Sequence, residues 1–307
     1  MPYEQKGNAK SVVCLMGPTA SGKTRVAVDL VKSHRFEIIS VDSAQIYKHM
    51  NIGTAKPDKK TLEIAPHRLI DFLDPAQSYS VAEFIHDAER EIEAILKKGN
   101  MPLLTGGTMM YFNALQKGLA VLPDANEKIR QDLQNKAQAE GLNKLYAKLQ
   151  KLDPVSAAKI HANDSQRIMR ALEVILISGN PLSELHKKNT AKAKYTFYNF
   201  ALLPEERSKL HQRIELRFDE MLQQGFLEEV SNLYQRKDLK PDMPSMRSVG
   251  YRQLWKHLDG EYSFKEARER GIIATRQLAK RQITWLRSWD KLTSINNAQD
   301  ILAKFGI

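Results

Sequence analysis

The stretch that most constrains this chain is GPTASGKT, Gly17 to Thr24, which has the form G-x-x-x-x-G-K-[ST]. Before it stands SVVCLM, Ser11 to Met16, a short apolar run of the kind that forms a buried parallel strand. After it, TRVAVDLVKSH carries apolar residues at helical spacing. Strand, glycine loop and helix in that order aim consecutive backbone N–H groups and a helix N-terminus at one anion. Gly17 and Gly22 supply the backbone freedom that Pro18, Thr19, Ala20 and Ser21 need to curl between them. Lys23 adds a full positive charge, and Thr24 offers a hydroxyl to Mg²⁺. The expected ligand is a phosphate group, with its owner still open.

Further apolar runs punctuate helical stretches: FEIISV at Phe36 to Val41, MPLLT at Met101 to Thr105 and FYNFALL at Phe197 to Leu203. With the first strand they predict an α/β fold, a P-loop NTPase-like core whose parallel sheet is flanked by helices. From 122 to 194 the texture changes to Lys, Gln, Ala and Leu at helical periodicity, bordered by VLPDANEK and HKKNTAKAK. This reads as a mostly helical insertion domain. The core is then 1–121 together with 195–307, the latter ending in a helical part.

Composition narrows the partners. Over 307 residues the formal charge is +11 and the pI near 9.5, which suits a polyanion such as nucleic acid or an acidic membrane face, and also suits plain solubility. Cys14 is the sole cysteine, so neither an intramolecular disulfide nor a Cys-based zinc site can form. The first ten residues, MPYEQKGNAK, are polar and no apolar run approaches 18 residues, so the expectation is a cytoplasmic protein with no membrane span.

An ATPase or GTPase of this kind carries an apolar strand ending in an acidic Mg²⁺ ligand. Here MPLLT runs instead into GGTMMYF, where Thr108 follows Gly106 and Gly107. The acidic strand end is earlier, in IISVDSAQIY, where Asp42 precedes Ser43. Loops after parallel strands line one crevice, so Asp42 and Thr108 should face the same site as Lys23. Asp42 has three readings at this point: cap of the following turn, metal ligand, or base accepting a proton from an acceptor substrate.

The segments SVDSAQIYKHMNIGTAKP, APHRLID, GGTMMYFNAL, DSQRIMRALEV, SVGYRQ and ATRQLAKRQITWLR, in this order, closely resemble the tRNA dimethylallyltransferase family, from residue 11 to about residue 290. That resemblance implies a kinase-like fold whose glycine loop holds the pyrophosphate of dimethylallyl diphosphate. It implies transfer of the prenyl group to the exocyclic amine of the adenine just 3′ of a tRNA anticodon. It further implies that Asp42 is the general base and that Arg217, in HQRIELRF, clamps the pyrophosphate with Lys23 and an Mg²⁺ at Thr24. Thr108 would line the channel where adenine and donor meet. Without the resemblance, Arg217 reads equally as a surface helix arginine and Thr108 as a turn cap.

For the RNA the same resemblance implies four contact segments and Arg130 from the insertion. These are Asp42, Ser43, Ala44 and Gln45; Gln166, Arg167, Ile168, Met169 and Arg170; Arg247, Ser248, Val249, Gly250, Tyr251 and Arg252; and Lys280, Arg281, Gln282, Ile283, Thr284, Trp285, Leu286 and Arg287. Physically, Arg247 to Arg287 holds ten Lys or Arg against four Asp or Glu, with Tyr251, Trp255 and Trp285 interleaved, which suits phosphate contact and base stacking. Core packing is the competing reading for the aromatics, and AKRQITWLR has an amphipathic pattern that must turn some residues inward. A monomer is expected. The competing functions are a P-loop kinase of a small molecule or nucleoside and a noncatalytic RNA-binding protein.

Overall fold

The computed structural model describes residues 10–120, 122–187 and 194–306. Most of the polar N-terminal stretch, Val121 and the Lys-rich border at 188–193 lie outside the described residues. The chain divides into two compact units, one of Met1–Gln116 with Lys194–Ile307 and one of Lys117–Ala193.

The first unit begins with β1 (Lys10–Met16), α1 (Lys23–Ser33), β2 (Phe36–Val41), α2 (Lys59–Ile64), β3 (His67–Arg68), α3 (Val81–Lys97), β4 (Met101–Gly106) and α4 (Met109–Lys117). The second unit holds α5 (Glu127–Glu140), α6 (Leu142–Leu152), α7 (Pro154–Ala157), α8 (Ser165–Ser178) and α9 (Leu182–Lys187). The chain returns to the first unit through β5 (Tyr195–Ala201), α10 (Arg207–Gln223), α11 (Phe226–Tyr234), α12 (Tyr251–Leu258), α13 (Phe264–Arg287), β6 (Leu292–Ser294) and α14 (Ala298–Phe305).

The six strands form one sheet in the order β3-β2-β4-β1-β5-β6, every pair parallel. All four sequence-predicted strands are present. Edge strands β3 and β6 are additional; at two and three residues they are too short to show a hydrophobic pattern. Alternation along β1 assigns Val13 and Leu15 to one face, where α1 and α14 cover them with Val26, Leu30 and Ile301. Val12, Cys14 and Met16 meet Phe84, Ile92 and Ile95 of α3 and Phe112 of α4 on the other. A third core joins α10 to α13 through Ile214, Phe218, Phe226, Tyr251 and Ile283. The second unit has its own core around Leu133, Leu145, Leu149, Ile168 and Leu172.

Two features bring the strand ends together. At Gly106 a Cβ would stand 2.0 Å from the Val41 carbonyl oxygen, so only glycine lets the end of β4 approach the end of β2. Gly22 takes φ 96°, a left-handed conformation that favours glycine, and it starts α1 without a side-chain cap. The first amides of α1 are thereby left for another acceptor.

Candidate active site

The loops after β1, β2 and β4 line a cavity of about 390 Å³ together with residues of α10, α13 and the turn before α12. All of its lining residues belong to the first unit. The glycine loop forms one wall. Ser21 N donates to Pro18 O (3.2 Å), closing the curl, while the amides of Gly22, Lys23 and Thr24 have no acceptor among the described residues. Lys23 Nζ folds back onto the carbonyls of Gly17 (2.8 Å) and Pro18 (2.9 Å). Ser21 Oγ is buried without a hydrogen-bond partner, which is unusual unless a ligand completes it.

Across the cavity α10 presents Arg217, which makes no hydrogen bond or ion pair among the described residues. Burial lowers its pKa, the Asp42 carboxylate opposing that shift. Burial also lowers Lys23 to about 8, with Asp42 holding it up and Arg217 pushing it further down. Two cations beside one carboxylate leave an excess of positive charge in a partly desolvated cleft, which is the electrostatic signature of an anion site.

Asp42 directly follows β2. Its Oδ1 accepts the amides of Ala44 (2.9 Å) and Gln45 (3.3 Å), so it does cap the turn. Its Oδ2 has no donor among the described residues and remains free for chemistry. Thr108 Oγ1 accepts Ser43 N (3.0 Å), and Thr108 N donates to Val41 O (3.2 Å). Thr108 therefore ties the β4 end to the Asp42 turn and is absent from the cavity wall, whereas Gly106 and Gly107 line it. The cavity is also lined by apolar side chains: Ile214, Phe218 and Met221 of α10, Val249, and Leu278 of α13.

Among the described residues no group of three or more His, Cys, Asp or Glu is arranged to hold a metal by itself. The Thr24 hydroxyl, with Asp42 in the same cavity, fits a metal that draws its other ligands from phosphate oxygens and water.

The sequence-predicted RNA residues sort by burial. Arg247, Arg252, Lys280, Arg281, Thr284 and Arg287 are exposed, as are Gln166 and Arg167 in the second unit. Trp285 is 41% exposed, whereas Tyr251 and Trp255 belong to the α10–α13 core, Trp255 meeting Tyr234 edge-on at 4.9 Å. Side-chain contact with RNA is corrected for Ile168, Tyr251, Ile283 and Leu286: each is buried in a hydrophobic core, because one face of every amphipathic helix must be. Gln45 is taken up locally, its Nε2 donating to the carbonyls of Thr54 and Ala55 (both 3.2 Å). Arg130 and Arg170 both bind the buried Glu173, at 2.9 and 2.7 Å, which lowers that carboxyl against the upward push of its burial.

Sequence reasoning missed Glu229 and Glu173. Glu229 accepts the amides of Asn51 (2.8 Å), Ile52 (2.9 Å) and Gly53 (3.1 Å) and the hydroxyl of Tyr251 (2.5 Å), so α11 holds the loop that brings Gly53, Thr54 and Ala55 to the cavity. No local signal separates such a residue from a solvated helix glutamate.

A parallel sheet whose glycine loop, two cations without an ion-pair partner among the described residues and free carboxylate share one cavity with apolar side chains defines a P-loop-type α/β transferase. Residues 45–289 match the IPP transferase family, and the chain belongs to it. It is 57% identical to a tRNA dimethylallyltransferase of Legionella pneumophila over 92% of this chain and 90% of that protein. Among solved structures it resembles the full-length tRNA isopentenylpyrophosphate transferase of Bacillus halodurans, with a TM-score of 0.70, 35% identity and coverage of 96% and 94%. It also resembles a eukaryotic dimethylallyltransferase acting on tRNA, with a TM-score of 0.79, 25% identity and coverage of 97% and 77%.

Proposed function

We propose that the protein transfers a dimethylallyl group from dimethylallyl diphosphate to N6 of the adenine 3′-adjacent to the anticodon, in tRNAs reading codons that begin with U, releasing diphosphate. The observation that carries this reading is that one cavity is lined by an anion cradle, a free carboxylate and a set of apolar side chains. A kinase would have use for the cradle and the carboxylate; the five apolar side chains in the same cavity suit a hydrocarbon prenyl chain.

In the reaction the N6–C1 bond forms as C1–O breaks, the bonding pair leaves on diphosphate, and N6 gives up a proton. Asp42 Oδ2 accepts that proton. Lys23, Arg217, Ser21 and the amides at the start of α1 meet the charge that grows on the leaving oxygens, and the backbone amides, fixed before the reaction, need not reorganise during it. Thr24 would hold a Mg²⁺, which neutralises part of the same charge when bound. Ile214, Phe218, Met221, Val249 and Leu278 surround the prenyl chain and keep water from the allylic centre. The target base must be extruded from its stack to reach Asp42, and the exposed Arg247, Arg252, Lys280, Arg281 and Arg287 suit the phosphates around it. The protein acts as a monomer.

The test is incubation with tRNA and dimethylallyl diphosphate followed by nucleoside mass analysis. The expected product is adenosine carrying one five-carbon unit. Phosphoryl transfer from ATP without prenylation would establish the kinase instead.

A further inference from the structure

Gln282 stands in the middle of the basic RNA-facing segment of α13, yet it is only 9% exposed and its side chain points the other way. Its Oε1 accepts the amide of Thr19 in the glycine loop (2.9 Å), and its Nε2 donates to the carbonyl of Gly107 (2.9 Å). Both polar atoms of the amide are thus used, one on the glycine loop and one on the turn after β4. From Gly107 the connection runs through the next residue, Thr108, whose Oγ1 takes the Ser43 amide beside Asp42. One end of this chain is the cradle for the leaving group and the other is the carboxylate. A Cβ on Gly107 would lie 2.4 Å from Gln282 Nε2, so the glycine lets the amide reach the backbone.

We propose that Gln282 is a positioning residue that holds the phosphate loop and the Asp42 turn in register, setting the distance between departing diphosphate and general base. This rests on the prenyl-transfer reading above. Gln282 lines the cavity, but both its polar atoms are taken by the two loops, so it acts on the reaction through them. Its loss leaves the cradle and the carboxylate joined through the pairing of Met16 and Val41 with Gly106, but no longer clamped beyond the strand ends, and a displacement of about 1 Å between reacting groups is enough to cost ~10²-fold in rate. An amide suits the task because one planar group offers an acceptor and a donor at once.

Two variants separate the two bonds. Gln282→Met removes both with little change of volume. Gln282→Glu keeps an acceptor for Thr19 and loses the donor to Gly107. The full-length proteins are assayed with an anticodon stem-loop RNA and dimethylallyl diphosphate. In both variants kcat should fall roughly 10- to 100-fold, while the KM of each substrate and the salt dependence of RNA binding stay within about threefold of the wild type. A double-mutant cycle with Thr108→Val supplies the readout that loss of packing would not move: because the two residues act along one connection, the double variant should lose much less than the product of the single losses. An unchanged kcat, an additive cycle, or RNA binding weakened tenfold with a shallower salt slope each overturns the proposal, the last by making Gln282 an RNA contact. A wild type that prenylates no RNA overturns the functional reading itself, which distinguishes the two failures.

Discussion

At the scale of single residues the site works by leaving charge uncompensated. Lys23 and Arg217 are drawn out of water without an ion-pair partner of their own, and only Asp42 offsets them. Asp42→Asn keeps the turn cap and removes the proposed base, so kcat should fall about 10²-fold or more with little change in tRNA affinity, measured by single-turnover kinetics and filter binding. A fully active variant would reduce Asp42 to a cap. Lys23 gives a pH signature. Its folded value, about 8, lies below its ordinary 10.5, so between these pH values the unfolded chain holds the proton and the folded chain does not. Stability of the ligand-free protein should therefore gain a contribution from Lys23 as pH rises from about 8 to 10.5, and pyrophosphate affinity should fall over the same window as the cation is lost. Melting curves and titration calorimetry across pH should show both trends in the wild type and neither in Lys23→Met.

At the scale of elements, α13 does three things with one helix. Ala279, Ile283 and Leu286 enter cores, Thr275, Leu278 and Gln282 line the cavity, and Lys280, Arg281 and Arg287 face outward. Replacing any of these three cations by Ala should weaken RNA binding and lower the slope of log affinity against log salt by about 0.7, the value for a single-stranded phosphate, while donor KM stays unchanged. A slope unchanged in all three variants would remove this face from the RNA contact. The β2–β4 pairing is as exacting. Gly106→Ala drives a Cβ against Val41 O, immediately before Asp42, and should cost on the order of 1–3 kcal/mol in urea unfolding and lower kcat as well.

At the scale of the whole molecule, a charge of +11 favours association with a polyanion such as RNA, whereas the proposed donor site is a partly buried cleft. Dimethylallyl diphosphate at about 100 times its Kd should add roughly 2.7 kcal/mol of stability and raise the melting temperature by several degrees. ATP should substitute poorly, since β4 ends in Gly-Gly-Thr with no acidic residue. Equal protection by ATP would contradict the assigned ligand. Among the described residues no helix is long and apolar enough to cross a membrane.

The sequence by itself determined the central sheet, because buried parallel strands are continuous apolar runs and GPTASGKT admits one local backbone. It also located Lys23 and Asp42 at one site, since parallel topology brings the loops after the strands to one side, although Thr108, expected there by the same argument, ties the Asp42 turn instead. Tertiary structure decided what depends on orientation and on partners distant in sequence. Periodicity could say that AKRQITWLR has an inner and an outer face, but only packing turned Gln282 inward and Trp285 outward. Glu229 and Glu173 could not be told from surface carboxylates, because the partners that mark them out lie far away along the chain, from Tyr251 back to Asn51 in one case and at Asn126 and Arg130 in the other, while the nearby Arg170 of Glu173 looks like an ordinary helix ion pair. Edge strands of two and three residues left no pattern either; they exist because a neighbouring strand offers its hydrogen bonds. Local sequence carries periodicity and turn chemistry, whereas burial of a polar group is decided by whatever folds against it.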